Sequence, residues 1–212
     1  MERPKVPRLA RNARPQVYRN AECPSCRSHP RQRSFYLYLE STIPKTKRIK
    51  LLHFSPEEPL RELLLAYENI DYLSVDLDPA RAMQKEDITH LSFDDESFDV
   101  IICIHVMEHI VDHRTAMNEL LRVLAKGGFA VIDVPIDASR RETYEDASIT
   151  TPEARTRAFW QADHVRLYGQ DFGEKLASVG FKVTADRYIQ SLGGRRIRAH
   201  GLESKPIHFC TR

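Results

Sequence analysis

Short apolar runs alternate with amphipathic segments from residue 49 onward. Residues 49–54 (IKLLHF) form a dense apolar run that is typical of a buried strand. After it, Leu60, Leu63, Leu64 and Tyr67 fall at positions i, i+3, i+4 and i+7, which places them on one face of a helix. The same alternation predicts further strands at 70–77, near 86–88, and at 97–104, 129–134, 181–188 and 206–211, with further helices at 112–124 and 170–179.

Strands that alternate with helices predict one fold class. Right-handed crossover helices would join the strands into an open, mostly parallel, doubly wound α/β sheet. The last strand follows a hairpin-like connection, so we expect it to run antiparallel. Ligands bind such sheets at the carboxyl ends of the strands, and each strand end is therefore a candidate site.

Two segments break the alternation. Residues 1–22 lack apolar periodicity and contain three prolines, which predicts an extended arm. Residues 33–40 are densely apolar and predict a short helix packed on the body. We therefore predict an N-terminal unit at 1–44 and a Rossmann-like domain at 45–212, with a polar insertion at about 135–168.

Composition narrows the class of protein. The chain has 212 residues, of which 42% are hydrophobic and 29% charged, as expected for one globular domain with an appendage. Four cysteines are too few for a disulfide scaffold, and no apolar stretch approaches the roughly 18 residues of a membrane span. We expect a cytoplasmic protein without a membrane segment.

Charge is unevenly distributed along the chain. Residues 1–33 carry nine basic and two acidic side chains, hence a net +7, which leaves −5 for the rest of a chain whose total is +2. Such a basic arm could bind a phosphate-rich partner or could be a solvated tail. The sequence leaves both interpretations open.

The first strand ends in His53, Phe54, Ser55, Pro56 and Glu57 and contains no glycine. Proline lacks an N–H group, and acidic side chains repel phosphate, so this turn disfavours a nucleotide phosphate. A nucleoside ligand with a positive centre is compatible with it. The same residues could also serve only to begin a helix.

Acidic residues follow the next two strands. Asp76, at the end of the second strand, is placed to accept hydrogen bonds from ribose hydroxyls, whereas Asp78 before a proline could merely cap a turn. Asp87, beside the apolar Ile88, could accept the adenine amino group while its neighbour covers the ring. Residues 94–96 are expected to form a solvated acidic turn.

Histidines follow the fourth strand. His105, Glu108 and His109 are spaced differently from the ligands of a zinc hydrolase helix, where the glutamate adjoins the first histidine. We therefore do not expect a hydrolytic zinc site here. His105 could line the ligand crevice, and Glu108 and His109 are expected to fix the loop.

Cys23 and Cys26 form half of a zinc knuckle. Further ligands would have to come from His29, His208 or Cys210. The alternative is a pair of reduced thiols in a tight turn.

The segments KEDITHLSFDDESFDVIICIHVMEHI and ELLRVLAKGGFAVIDVPI resemble class I S-adenosylmethionine-dependent methyltransferases. The resemblance covers roughly residues 49–190 and is most specific between residues 87 and 135. Within the class, the chain resembles a subgroup with a Cys-Pro-x-Cys knuckle and a glycine-poor His-Phe-Ser-Pro-Glu first motif. The resemblance implies a seven-stranded sheet with an antiparallel last strand and S-adenosyl-L-methionine as cofactor.

The resemblance also implies cofactor-binding positions. The ribose acid falls on Asp76, the adenine acid on Asp87 with Ile88 beside it, and the wall against the methionine part on Ile104 and His105.

The glycine-rich first motif of the family is replaced by residues 53–57. We expect His53, Phe54, Ser55 and Glu57 to take its place at the cofactor, and the charge of Glu57 suits the ammonium group. The family's contacts in this motif do not transfer.

Methyl transfer is an in-line displacement that requires proximity and exclusion of water but no covalent residue. A hydroxyl or ammonium acceptor must lose a proton, and we expect His164 or His105 to take it. Tyr168 and Arg166 are the candidates for positioning the acceptor. The class commonly carries a substrate lid where residues 135–168 lie, although aromatic side chains there could instead cover a satellite core.

Three functions are consistent with these sequence features. The first is methyl transfer to oxygen or nitrogen of a small-molecule acceptor. The second is an RNA methyltransferase that uses the basic arm to bind phosphates. The third is a non-catalytic scaffold or binding protein that keeps the cofactor fold.

Overall fold

A seven-stranded sheet forms the centre of the computed structural model, which describes residues 22–212. A separate two-stranded ribbon lies in the insertion. The elements in chain order are α1 (Pro30–Thr42), β1 (Ile49–Phe54), α2 (Glu58–Leu65), β2 (Ile70–Asp76), β3 (Gln84–Lys85), β4 (Phe98–Ile104), a 3₁₀ turn (Met107–His109), α3 (His113–Val123), β5 (Leu124–Asp133), β6 (Tyr144–Glu145), α4 (Pro152–Phe159), β7 (Arg166–Leu167), α5 (Phe172–Ser178), β8 (Lys182–Asp186), α6 (Tyr188–Ser191), α7 (Gly193–His200) and β9 (Ile207–Thr211).

The strand order is β3-β2-β1-β4-β5-β9-β8. Strands β1 to β5 pair in parallel, and β9 runs antiparallel between β5 and β8. The predicted fold class, including the antiparallel last strand, is confirmed. The order reverses between β1 and β4, so a crevice opens beyond their carboxyl ends.

Side-chain alternation along the central strands divides the core into two layers. In β1, Leu52 packs in one cluster with Ile101 of β4, and Leu51 packs in the other with Ile102. Both faces are buried because helices cover them, which explains the nearly continuous apolar sequence of these strands. Helix α1 covers the second face and contributes Phe35 to it.

The N-terminal unit predicted at 1–44 lies partly outside the described residues. Residues 1–21, which hold most of the basic arm, are not described, so their extended conformation and their partners stay predictions. The predicted short helix is part of α1, and its buried side chains join the core of the sheet. Among residues 22–212, no helix is long and apolar enough to cross a membrane.

Two elements differ from the sequence prediction. The basic segment 193–196, for which the sequence predicts no helix, begins helix α7, which is capped by Gly201 with φ 55°. Its paired glycines lie at the start of the helix, where they do not break it, and the arginines that follow are good helix formers. The third strand is confined to Gln84–Lys85, just before the predicted 86–88.

The insertion at 135–168 folds into the β6–β7 ribbon and helix α4. The Thr151 hydroxyl accepts a hydrogen bond from the N–H of Ala154 and caps α4. The helix ends at Trp160, whose φ of 78° is left-handed. Within the insertion, Phe159 is buried and Trp160 is exposed.

Gly128 allows β5 to pass close to β4 where the register of the two strands shifts. A Cβ atom at Gly128 would lie 2.5 Å from the backbone oxygen of Asp99. We expect Gly128→Ala to lower the free energy of unfolding by about 1–3 kcal/mol, the usual cost of overpacking, in urea denaturation.

Gly173→Ala is the matched control for this substitution. Its Cβ would lie no closer than 3.8 Å to a neighbour, and alanine is the better helix former within α5. This control should be as stable as the parent or more so. Equal stability of the Gly128 and Gly173 variants would show that β4 and β5 can move apart at Gly128 without a loss of stability.

Candidate functional site

A cavity of about 430 Å³ opens where β1, β2 and β4 end. We call it the strand-end cleft. Four connections supply most of its wall: the turn after β1, the loop after β2, the loop after β4 and the end of the insertion before β7. Its lining includes Arg31, Phe54, Ser55, Glu57, Asp76, Glu86, Ile88, Ile104, His105, Glu108, His109, Asp163 and His164.

Asp76 is held in place at the rim of this cleft. Its Oδ2 accepts a hydrogen bond of 2.8 Å from the Ser55 hydroxyl, and its Oδ1 accepts one of 2.9 Å from the N–H of Asp78. Ser55 adopts a left-handed φ of 44°, and its N–H donates to the carbonyl of Val75. Since a carboxylate oxygen accepts two hydrogen bonds, each Asp76 oxygen retains capacity for one more.

Glu86 and Ile88, rather than Asp87, face the strand-end cleft. Asp87 is exposed, and its carboxylate accepts hydrogen bonds from the N–H and hydroxyl of Thr89 at 2.9 and 2.7 Å. The predicted partner of adenine therefore lies outside the cleft lining, while the predicted apolar neighbour lies in it. Sequence analysis missed Glu86, although in an extended segment residues 86 and 88 share one side.

The Glu86 carboxylate is already engaged by protein groups. It accepts hydrogen bonds from the N–H and hydroxyl of Ser92 and from the side chain of Gln84. Burial would raise the pKa of Glu86, but these hydrogen bonds outweigh burial and hold the pKa below its usual range. Glu86 is therefore a fixed negative charge in the wall.

Three of the four predicted residues of the first motif line the strand-end cleft, and His53 does not. Phe54 points toward the cleft, so the preceding side chain points the opposite way into the core. His53 is 1% exposed, its Nδ1 lies 3.0 Å from the Tyr72 hydroxyl, and burial lowers its pKa to about 3. The structure thus places His53 in the core outside the cleft lining, which does not support its predicted contact with a cofactor.

Glu57 reaches the strand-end cleft from the start of α2. One carboxylate oxygen, Oε1, accepts a hydrogen bond from Arg31 of α1, while Oε2 is buried without a hydrogen-bond partner among the described residues. Arg31 was not expected at the site, and only the packing of α1 beside α2 brings it there. The turn after β1 thus carries a negative charge that is only partly paired. Such a charge suits a positively charged ligand.

His105 lies at the end of β4 in a left-handed conformation with φ 55°. Its N–H donates to the carbonyl of Asp133, its Nδ1 lies 3.1 Å from Glu108 Oε1, and its Nε2 lacks a hydrogen-bond partner in the described chain. Strained backbone of this kind is concentrated at functional sites. The structure places His105 in the cleft wall, as expected.

Asp133 is a buried negative charge behind His105. Its Oδ2 accepts a hydrogen bond of 2.7 Å from Lys205 and lies 3.9 Å from His105 Nε2. Burial would raise the pKa of Asp133, but attraction to Lys205 outweighs it and keeps the pKa below its usual range. The acid is thus ionised, and its negative charge lies close to the imidazole.

His164 is buried and lines the strand-end cleft, as expected for a candidate base. Its Nδ1 lies 2.9 Å from the carbonyl oxygen of Phe159, which assigns the proton to Nδ1 and leaves Nε2 as the acceptor. Burial lowers the pKa of His164, although the Glu108 carboxylate acts in the opposite direction. The imidazole is therefore neutral at pH 7.

The structure brings Glu108 and His109 beside His164. One ligand atom of each lies within 4.8 Å of the other two, and the two imidazole rings pack edge to face with centroids 4.8 Å apart. From the sequence, Glu108 and His109 were expected only to fix the loop after β4. It missed this cluster because the third member lies 55 positions along the chain.

Arg166 and Tyr168 lie below the cleft and do not line it. Arg166 donates to the carbonyl oxygens of Met107, Ile110 and Val111 and to the carboxylate of Glu145. Both side chains are buried, with exposures of 2% and 1%. This placement does not support their predicted role in positioning an acceptor, because both side chains contact the loop that carries the cleft histidines.

Tyr168 helps to hold the same loop after β4. Its hydroxyl lies 2.6 Å from Nδ1 of His113, and burial raises its pKa above the usual range.

The insertion reaches the strand-end cleft through residues 161–164 rather than through its aromatic side chains. Gln161 and Asp163 line the cleft, whereas Tyr144 packs against the buried Phe159. The aromatic residues thus cover a small core. A substrate lid at this position stays a prediction.

Cys23 and Cys26 lie away from the strand ends in a turn closed by Ser28. The N–H of Cys23 donates to the Ser28 carbonyl, and the Cys26 sulfur lies 3.2 Å from the Ser28 hydroxyl, which can donate to the thiolate and so lowers the Cys26 pKa. Both thiols are free. Within residues 22–212, neither belongs to a group of three potential metal ligands, so the zinc knuckle is not supported.

A larger cavity of about 610 Å³ adjoins these cysteines between α1, α2 and α7. Its wall is mostly apolar and includes Leu37, Leu60 and Leu63. The converging acids and histidines line the smaller strand-end cleft, which is therefore the candidate active site.

Comparison with known proteins identifies related sequences over part of the chain. Residues 61–132 match the family model described as a methyltransferase domain. A stretch of 64 residues, 29% of the chain, is 41% identical to an uncharacterized protein of Methanocaldococcus jannaschii and covers 28% of that protein. The Cys-Pro-x-Cys and His-Phe-Ser-Pro-Glu motifs lie outside residues 61–132, so the subgroup stays a prediction.

Solved structures share the fold at low sequence identity. The crystal structure of the 4+2 cyclase SpnF matches with a TM-score of 0.55 and 16% identity, over 72% of this chain and 58% of that chain. A methyltransferase of Mesorhizobium loti that depends on S-adenosylmethionine matches with a TM-score of 0.52 and 16% identity, over 83% of this chain and 96% of that chain. The chain has the class I methyltransferase fold, and its residues 61–132 match a methyltransferase family model.

Proposed function

We propose that the chain transfers a methyl group from S-adenosyl-L-methionine to an oxygen or nitrogen atom of a small-molecule acceptor bound in the strand-end cleft. The observation that carries this proposal is the fixed carboxylate of Asp76 at the end of β2, in a cleft whose other charged walls are largely acidic. Such a cleft favours a nucleoside with a positive centre over a nucleotide with phosphates.

The residues present fit this cofactor. Asp76 retains acceptor capacity for ribose hydroxyls, and Ile88 and Ile104 supply apolar walls for a base and an alkyl chain. The unpartnered Oε2 of Glu57 is a suitable acceptor for an ammonium group. Pro56 removes an N–H from the turn that would otherwise bind phosphate.

When bound, the cofactor supplies an electrophilic methyl group. The protein must then hold the acceptor in line and exclude water. The neutral His164 offers Nε2 for the proton that the acceptor loses. His105, fixed between Glu108 and Asp133, is the second candidate for this step.

Calorimetry with the demethylated product, S-adenosylhomocysteine, tests the proposal. We expect saturable binding of one molecule per chain and no binding of ATP or NAD at the same concentrations. Mass spectrometry of small molecules released from the purified protein provides an independent check. If S-adenosylhomocysteine does not bind, while ATP or NAD does, the proposed function is wrong.

Two alternatives stay open. An RNA acceptor is favoured by the net +7 of residues 1–33, and it predicts binding that weakens steeply with salt. A non-catalytic or differently catalytic role is favoured by the cyclase that shares this fold. It predicts that S-adenosylhomocysteine binds without methyl transfer to any acceptor.

A further inference from the structure

One wall of the strand-end cleft holds a cluster of three potential metal ligands. Glu108 and His109 come from the 3₁₀ turn after β4, and His164 comes from the end of the insertion. Within residues 22–212, no other group of three histidine, cysteine, aspartate or glutamate side chains meets at this spacing.

The carboxylate of Glu108 has an unsatisfied oxygen. The side chain is 2% exposed, Oε1 lies 3.1 Å from Nδ1 of His105, and Oε2 has no hydrogen-bond partner within residues 22–212. Across the described residues no lysine or arginine pairs with this carboxylate, because Arg166 is directed to three backbone carbonyls instead. A buried and half-paired carboxylate is costly unless a cation completes its bonding.

Each imidazole of the cluster has a polar group beside its Nδ1. His164 Nδ1 lies 2.9 Å from the Phe159 carbonyl, and His109 Nδ1 lies 3.3 Å from Oδ2 of Asp163. The opposite nitrogen, Nε2, is therefore available on each ring. Metal-binding histidines are typically fixed in this way by a carbonyl or carboxylate on the second nitrogen.

We infer that Glu108, His109 and His164 bind one divalent cation of the first transition series, such as Mn²⁺, Co²⁺ or Zn²⁺, in the strand-end cleft. Two imidazoles and one carboxylate suit these ions better than Mg²⁺ or Ca²⁺, which prefer oxygen ligands. Three protein ligands leave a coordination position open toward the cleft, as in catalytic sites.

The spacing requires a small adjustment on binding. Ligand atoms about 2.1 Å from a tetrahedral zinc ion stand about 3.4 Å apart. The three side chains, whose ligand atoms lie within 4.8 Å of one another, would close by at most about 1–1.5 Å. Rotations of side chains at the cleft surface can supply this movement without a change of fold.

The site also defines the acceptor, a step that rests on the proposed function. A hydroxyl group at the open position would lose its proton to solvent at a lower pH than a free hydroxyl. Its oxygen then bonds to the methyl carbon, and the electron pair of the broken carbon–sulfur bond returns to sulfur. The acceptor class of the metal-bound protein is then a hydroxyl compound. With Nε2 of His164 bound to the ion, the proton leaves to solvent, whereas in the metal-free protein His164 is the candidate base.

Metal binding to the full chain tests the inference without any assay of activity. The protein is stripped with a chelator, dialysed against Co²⁺, Mn²⁺ or Zn²⁺, and analysed for metal content, with visible absorption as a second readout for Co²⁺. We expect about one ion per chain. His109→Ala and His164→Ala should each weaken binding at least 100-fold, and Glu108→Gln, which keeps the side-chain volume, should weaken it at least 10-fold.

Two control variants make the result specific. His90→Ala removes an exposed histidine outside the cluster and should leave binding unchanged. A Cys23→Ser and Cys26→Ser double variant should also retain the ion. Melting temperatures of all variants show whether each one is folded.

The inference is overturned if the wild-type protein retains no ion, or if only the cysteine variant loses it. Failure of the proposed function has a different result. In that case the ion binds through the cluster, but S-adenosylhomocysteine does not bind to the protein.

Discussion

Asp76→Ala is expected to raise the dissociation constant for S-adenosylhomocysteine by about 30- to 100-fold. The substitution removes a carboxylate that has one free acceptor position on each oxygen. Two charge-assisted hydrogen bonds to ribose hydroxyls contribute about 2–3 kcal/mol together, which corresponds to this factor. Isothermal titration calorimetry of the parent and the variant measures the change directly.

Asp71→Ala is the matched control for this experiment. Asp71 is exposed near the start of the same strand, so it carries the same charge at the opposite end of β2. Its removal should leave the dissociation constant within about twofold of the parent value. An Asp76 variant that melts normally and binds as tightly as the parent would move the ribose site elsewhere.

Arg166→Met is expected to lower the free energy of unfolding by about 3–5 kcal/mol, which would reduce the melting temperature by roughly 8–15 °C. The buried guanidinium satisfies the carbonyl oxygens of Met107, Ile110 and Val111. Methionine occupies a similar volume but leaves those acceptors without a donor. Thermal denaturation followed by circular dichroism gives the size of the loss.

Arg195→Met provides the comparison. Arg195 is exposed on α7, and its replacement should change stability by no more than about 0.5 kcal/mol. If the Arg166 variant kept full stability and lost only methyl transfer, the sequence-based assignment of Arg166 to the acceptor would be restored.

The fold follows from the sequence because its signals are local. The periods of 2 and 3.6 residues identify the central strands and the main helices within a few positions. The parallel pairing of β1, β2, β4 and β5 then brings their ends together, so Asp76 and His105 could be placed at a common edge. Both lie in the cleft wall.

The direction of individual side chains was harder to predict. His53 and Phe54 are adjacent in the chain, as are Asp87 and Ile88, and in an extended segment adjacent side chains point to opposite faces. Resemblance to a family assigns a function to a segment. Which side chain of that segment reaches the cleft depends on the face of the extended chain on which it lies. His53 is consequently a core residue, and Glu86 rather than Asp87 lines the cleft.

The cluster of Glu108, His109 and His164 lay beyond sequence analysis for a different reason. Its members meet only because the insertion folds back over the loop after β4, where the N–H of Val165 donates to the carbonyl of Glu108. No periodic pattern encodes that return. Arg166 is a similar case. Its charge suggests a role in chemistry when only the sequence is known, whereas its buried surroundings indicate a structural role.

The position of β9 has a consequence for how the protein is made. Among the described residues, β8 at one edge of the sheet pairs only with β9, which follows it in the chain. Until β9 has left the ribosome and joined the sheet, β8 has no neighbour there and β5 exposes an open edge. We expect the nascent domain to be most prone to pair with other chains during that interval, which a pause in translation would lengthen.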